Sequence, residues 1–146
     1  MPWQPKQTVV VPVDFSPSSA PAIEVALQAA KQPASVHVLH VLPKLDNVSP
    51  GVLWGEVTDE SRLAKATDYL DTFLASREIE GVQTDILIGD PGLKIVEYAD
   101  SRNADLIVIP SHGYHGLKHV LLGSVAERVI RHASCAVYVL RRLDAD

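Results

Sequence analysis

The sequence predicts an α/β fold, an open sheet of five parallel strands with helices on both faces, built as one domain over residues 1–146. Three observations carry that expectation. Apolar runs and helix-period stretches alternate along the chain in the order βαβαβαβαβ. The apolar runs are continuous rather than alternating, as in strands buried on both faces. The composition, 47 % hydrophobic and 21 % charged, is that of an ordinary globular domain, and a chain of this length buries roughly two-thirds of its unfolded surface around one core.

The first strand is predicted over Thr8–Asp14 (TVVVPVD). Phe15-Ser16-Pro17-Ser18-Ser19 then supplies turn and cap chemistry. The following helix carries Ile23, Ala26, Leu27 and Ala30 on one stripe and ends at Gln32-Pro33. Ser35–Leu42 (SVHVLHVL) is the second strand, with His37 and His40 on opposite faces by the period of two. Pro43–Val57, which contains Trp54, has no assignable pattern.

A longer helix covers about Thr58–Glu78, with Leu63, Ala66, Leu70, Phe73 and Leu74 inward. The third strand is Gln83–Ile88. Gly89-Asp90-Pro91-Gly92 breaks the chain and opens a helix with Pro91 in its first turn. Its buried stripe is Ile95, Val96 and Ala99. The fourth strand is Ala104–Ile109 (ADLIVI), followed by a glycine-bearing loop over Pro110–Gly123. The last helix runs from Ser124 to about His132, and the fifth strand is Ala136–Leu140 (AVYVL). Right-handed crossovers leave the strand orders 2-1-3-4-5 and 3-2-1-4-5 open. In both, a ligand belongs beyond the carboxyl ends of the strands at the switch point.

A net charge of −5, with no lysine and arginine cluster, argues against a nucleic-acid partner. The single cysteine, Cys135, excludes an internal disulfide, fits a reducing compartment, and reads as a small apolar residue ahead of the fifth strand. The opening residues MPWQPKQ lack an apolar signal core, and no apolar run reaches the ~18 residues of a membrane span. The expectation is a soluble cytoplasmic protein with no membrane partner.

The most informative stretch is Pro110-Ser111-His112-Gly113 through Gly123-Ser124, which leaves a strand and enters a helix. Glycines permit close backbone approach, and a helix N-terminus offers unpaired amides and a partial positive charge. Together they make a phosphate site. A simpler use competes: Ser124-Val125-Ala126-Glu127 fits a capping box that needs no ligand. Neither a P-loop nor a G-x-G-x-x-G fingerprint is present. His112, His115 and His119 are spaced i, i+3, i+7, but the intervening glycines and the lack of a completing ligand argue against a metal site. Asp14 reads either as a carboxylate that organises the turn into the first helix or as a ligand contact. Pro12 and Pro110 both end strands predicted to be central, which suits a place where those strands diverge.

This loop, read with Val10-Val11-Pro12-Val13-Asp14-Phe15-Ser16 and Ala104-Asp105-Leu106-Ile107-Val108, resembles the universal stress protein family, as a UspA-like domain of the ATP-binding type. The family's nucleotide pattern is G-x2-G-x9-G-[S/T]. Gly113, nine residues, then Gly123-Ser124 match its second half, and Pro110 stands where the first glycine belongs. The resemblance extends over essentially the whole chain. It implies an adenine nucleotide alpha hydrolase-like, Rossmann-like fold with strand order 3-2-1-4-5. It also implies that Asp14 and Val41 line the adenine–ribose side with Pro12 and Val13 nearby. Ser111 would approach the ribose, His112 would lie beside the phosphates, and Gly113, Gly123, Ser124 and Val125 would cradle them.

The implied ligand is ATP or another adenine nucleotide (ADP, AMP), with Mg2+ or Mn2+ on the phosphates. Pro110 lacks the amide a glycine would offer, a loss of about 1 kcal/mol, or several-fold to tenfold in affinity. The implied assembly is a homodimer through the edge strand Ala136–Leu140, whose apolar edge needs cover.

The leading expectation is a nucleotide-binding, stress-response regulatory module with at most slow hydrolysis, having no Walker lysine and no arginine finger. The alternative is a dimeric scaffold of the same fold that binds no nucleotide and acts through protein partners, supported by Pro110 and Glu127. An enzyme using His112 or Asp14 as a base is a third reading.

Overall fold

The computed structural model describes residues 4–45, 57–112 and 122–141. Its centre is a five-stranded parallel sheet in the order β3-β2-β1-β4-β5, formed by β1 (Val9–Pro12), β2 (Val36–Leu42), β3 (Gln83–Ile88), β4 (Leu106–Pro110) and β5 (Ala136–Leu140). Of the two strand orders open to the sequence, 3-2-1-4-5 is the one adopted. The chain runs outward from β1 to β3, then crosses back to lay β4 on the other side of β1. The switch point is therefore the β1–β4 seam.

Helices α1 (Ser19–Ala29), α2 (Asp59–Ser76), α3 (Pro91–Ser101) and α4 (Ser124–His132) cover the sheet. The period of two along the strands sorts the core into two halves. Val9, Val11, Val36, Val38, Leu106 and Val108 pack with α1 and α2. Val10, Leu39, Val41, Ile107 and Ile109 pack with α3 and α4. Continuous valine and isoleucine runs thus serve both faces at once, as their lack of alternation predicts. His37 and His40 do lie on opposite faces. His37 Nδ1 meets the Tyr98 hydroxyl at 3.2 Å, and His40 Nδ1 meets the Val13 carbonyl at 2.7 Å.

Most element bounds match the sequence reading to within two residues, and β3, α4 and β5 match it fully. β1 is shorter than expected because Pro12 ends it. β4 starts at Leu106 rather than Ala104 because Asp105 is occupied elsewhere. Its carboxylate accepts from Gln7 N–H and Thr8 N–H at 2.9 and 3.0 Å, tying the start of β1 to β4. α2 opens with a capping box between Thr58 and Ser61 and buries Leu70, Phe73 and Leu74. Leu63 and Ala66, assigned inward, are only half-buried. On α3 the buried residues are Gly92, Ile95, Tyr98 and Ala99; Val96 is half-buried, and Tyr98 was not foreseen.

Tyr98 has a polar reason to be inside. Its hydroxyl donates to Asp85 at 2.6 Å and, with its lone pair, receives His37 Nδ1–H. Arg102 lies 3.5 Å over the Tyr98 ring and reaches Asp85 at 3.3 Å. Burial, followed by the Arg102 charge, lowers the pKa of His37, which favours the neutral ring here. Cys135 packs half-buried against the α3–α4 core, and burial, then Asp100 and Asp105, raises its thiol pKa. That accords with a small packing residue.

α3 and α4 pack along a shared apolar face and cross tightly at one residue. A Cβ on Gly92 would lie 2.5 Å from Cδ and 3.0 Å from Cβ of Arg128, so only glycine lets the Arg128 stem cross here. The guanidinium then reaches Asp90 Oδ2 at 2.6 Å, and the same oxygen caps α3 by accepting from Leu93 N–H at 3.2 Å. The Arg128 hydrogen bond, and secondly the Leu93 amide, hold the Asp90 carboxyl below its ordinary value of 3.8. A carboxyl depressed on folding stabilises the fold above its unfolded pKa, and that contribution drains away as pH falls through the folded pKa. Asp90→Asn keeps a competent cap but loses the charged partner. Urea denaturation across pH should find the wild type more stable at neutrality, with the gap closing below about pH 4. A gap that persists unchanged at about pH 2.5 would contradict the assignment.

Candidate functional site

The site begins where the sheet stops pairing. β1 and β4 pair only at Val9–Leu106 and Val10–Ile107, whereas β1 stays with β2 as far as Pro12–Leu39. In a parallel ladder of this register the next two donors between β1 and β4 would be the amides of residues 12 and 110. Both are prolines. The flanking amides confirm the orientation. Val13 N–H donates to Leu39 O of β2 at 2.8 Å, and Ser111 N–H donates to Leu140 O of β5 at 2.8 Å. Since successive amides point to opposite sides of a strand, the ring nitrogens of Pro12 and Pro110 face each other across the seam. The ladder ends without stranding a donor, and the strands part.

Beyond the parting lies a cavity of about 500 Å³. Its walls are largely apolar, with Val41, Ile95, Ile109, Leu122 and Val125 among them. Nine of the ten residues expected at a site line it: Pro12, Val13, Asp14, Val41, Ser111, His112, Gly123, Ser124 and Val125. Gly113 lies outside the described residues, as do His115, His119 and Trp54. The cavity also takes in His40, and Pro91, which the sequence reading did not assign to it. Pro91 could have been found, because it opens a helix whose first turn must sit at the carboxyl end of the sheet.

Two backbone bonds seat α4 at the cavity. Ser111 N–H is held by β5, and Ser111 O accepts from Gly123 N–H at 2.6 Å. This pins the start of the helix to the end of β4. Gly123, at φ −74° and ψ 163°, is the N-cap, with no side-chain cap hydrogen bond. The expected Ser124–Glu127 capping box is therefore not formed. The bond from Ser111 sets the turn into the helix at Gly123, so Ser124 is already the first helical residue. Glu127 N–H bonds Gly123 O at 2.9 Å, and the Glu127 side chain accepts from Arg131 at 2.6 Å. The amides of Ser124, Val125 and Ala126 are left without an intrahelical acceptor, and all three residues line the cavity.

His112 stands by them. It is buried, its Nδ1 lies 3.2 Å from Ser111 Oγ, and its Nε2 is buried with no hydrogen-bond partner. An unpaired buried ring nitrogen is costly, and this one has essentially no accessible surface. On the opposite lip, Asp14 Oδ1 accepts from Ser16 N–H at 3.0 Å and Ser19 Oγ at 3.1 Å. Asp14 thus organises the turn into α1 and lines the cavity as well. That turn carries Phe15 at φ 64°, a strained conformation for a bulky residue. The ring is held by packing on His40 at 4.6 Å, Tyr69 at 4.7 Å and Phe73 at 5.5 Å. His40 in turn clasps the Val13 carbonyl.

The arrangement offers an apolar slot ending in amide donors and an imidazole, which suits a flat apolar group that carries an anion. Comparison with known proteins gives the following likenesses. The chain is 37 % identical over 143 residues to universal stress protein MJ0531 of Methanocaldococcus jannaschii, covering 92 % of this chain and 81 % of that one. Protein MJ0577 of the same organism superposes with a TM-score of 0.76 at 27 % identity, over 94 % of this chain and 98 % of that one. Two further likenesses are to complexes. One is a universal stress protein bound to cAMP (TM-score 0.58, 27 % identity, 94 % and 98 % covered). The other is a universal stress protein of Archaeoglobus fulgidus bound to dAMP (0.61, 26 %, 91 % and 96 %). The family model for universal stress proteins matches residues 6–141, from ahead of β1 to just past β5, and on that span the chain belongs to the universal stress protein family.

Proposed function

We propose that this chain, acting as one domain, is an adenine-nucleotide-binding regulatory module of the stress response that works through occupancy rather than turnover. The observation that carries the reading is the start of α4, with no side-chain cap, at a cavity that His112 also lines. Three helix-start amides belong to residues that line it, at the positive end of a helix dipole. Related proteins in complex with cAMP and dAMP support adenine as the base.

In this reading Val41, Pro12 and Val13 border the base and ribose, with Asp14 and Ser111 as polar contacts. His112, Gly113, Gly123, Ser124 and Val125 take the phosphate. A divalent ion has a modest place. Asp14 is the one carboxylate among the described lining residues, and its Oδ1 already serves the α1 turn. Mg2+ or Mn2+ would be carried by the nucleotide's own phosphates, as is usual for Mg2+. Hydrolysis is expected to run no faster than about one turnover per minute, since positioned cations drive phosphoryl transfer and the described lining residues include no lysine or arginine.

The exposed edge supports a homodimer. Among the described residues β5 pairs only with β4, and Tyr138 is 45 % exposed on the face that α1 leaves uncovered. A scaffold acting through protein partners without a nucleotide is the second reading, favoured by Pro110, which removes an amide at the cavity wall.

Ser124→Pro separates the two readings. Gly123 already holds the extended conformation a following proline requires, and proline suits the first helical position. Stability should therefore change by less than about 0.5 kcal/mol, while loss of one charge-assisted bond weakens AMP binding about tenfold or more in calorimetry. Folded wild type giving no heat with millimolar AMP, ADP or ATP would remove the nucleotide reading. For the dimer, Tyr138→Lys should shift the protein from dimer to monomer in light scattering; a wild-type protein that is monomeric at all concentrations sinks that part.

A further inference from the structure

We infer that the imidazole of His40 is a positioning group for the cavity: it takes the Val13 carbonyl that the strand ladder would otherwise give to the Val41 amide, and so leaves that amide to a ligand. The binding arm of the test below rests on the nucleotide reading; the exchange arm does not.

β1 and β2 pair as far as Pro12–Leu39, and their last rung is Val13 N–H donating to Leu39 O at 2.8 Å. In a parallel ladder of this register the next rung would run from Val41 N–H to Val13 O. Among the described residues that rung is absent, since the ladder does not extend to a Val13–His40 pair. The Val41 amide nonetheless points to the β1 side. Leu39 O faces β1, while Leu42 O faces the other way and accepts from Gly89 N–H, just past β3, at 2.8 Å. Successive residues alternate, so Val41 shares the side of Leu39.

Val13 O is met instead by His40 Nδ1 at 2.7 Å. A carbonyl only accepts, so Nδ1 carries the proton. One side-chain donor has replaced one main-chain donor, and the displaced amide belongs to a residue that lines the cavity. A backbone amide without a protein acceptor calls for water or a ligand.

The same ring steadies the far end of the lip. It packs 4.6 Å from Phe15, the residue held at φ 64°. Val13 and Phe15 are thus both braced by His40, with Asp14 between them. An apolar side chain of similar size would fill the space and lose the donor. Val13 O would then be bare, and its nearest replacement is the Val41 amide, one rung on. The β1–β2 ladder would lengthen by that rung and withdraw the amide from the cavity.

The test is amide hydrogen exchange by NMR on the intact, isotope-labelled protein, with calorimetric titration of AMP. In the nucleotide-free wild type, the Val41 amide is expected to exchange at least about tenfold faster than that of Leu39, which is bonded in the ladder on the same side. His40→Leu should slow Val41 toward the Leu39 rate and weaken AMP binding about tenfold or more. His40→Asn, whose Nδ2 can stand where Nδ1 stood, should keep Val41 fast and hold AMP affinity within about threefold of wild type. A purely packing role ranks the two variants the other way, because leucine restores more apolar contact with Phe15 than asparagine does. Val41 as slow as Leu39 in the wild type overturns the inference. So does unchanged AMP affinity in His40→Leu, or His40→Asn binding no better than His40→Leu. Should His40→Leu fail to fold, the wild-type exchange rates and His40→Asn still decide. Folded wild type that binds no AMP removes the nucleotide reading, and the exchange rates of Val41 then judge His40 on their own.

Discussion

Everything about the site descends from a pair of missing hydrogens. A parallel sheet propagates because each strand hands donors to its neighbour in a fixed register, and β1 and β4 run out of donors at Pro12 and Pro110. An ordinary residue at both places would present amides that either pair, closing the seam, or stay bare inside an apolar crevice. Proline avoids both. The seam opens at the topological switch point, where the doubly wound fold has no crossover to fill it, and the parted strands leave room for the start of α4.

The start of α4 depends on a second economy of backbone. Ser111 uses its amide on β5 and its carbonyl on Gly123, so one residue anchors the end of β4 to the edge strand and to the helix cap. Because Gly123 fills the cap position without a side chain to offer, the next three amides stay available. The same glycine that the family pattern reserves for a phosphate is thus explained here by what it withholds from the helix.

Much of this was legible in the chain itself. Strand identities, the two-faced core, and the bounds of β3, α4 and β5 follow from continuous apolar runs and turn residues, which act locally. Nine of the ten anticipated site residues line one cavity because strand ends and helix starts in this topology converge at one edge. The errors have a common physical source. The Ser124 capping box was a sound local pattern overruled by a long-range bond, Ser111 to Gly123. Tyr98 was missed because its partners, His37 and Asp85, are distant in sequence. Strand order was undecidable from local pattern, since both candidates bury the same residues.

The bond from Ser111 to Leu140 has a mechanical meaning. β5 is the outermost strand, and its last residue grips the residue that seats the start of α4. The outer rim of the sheet and the start of α4 are therefore separated by a single residue. Whatever lies against the end of β5 is thus two backbone hydrogen bonds from the helix terminus.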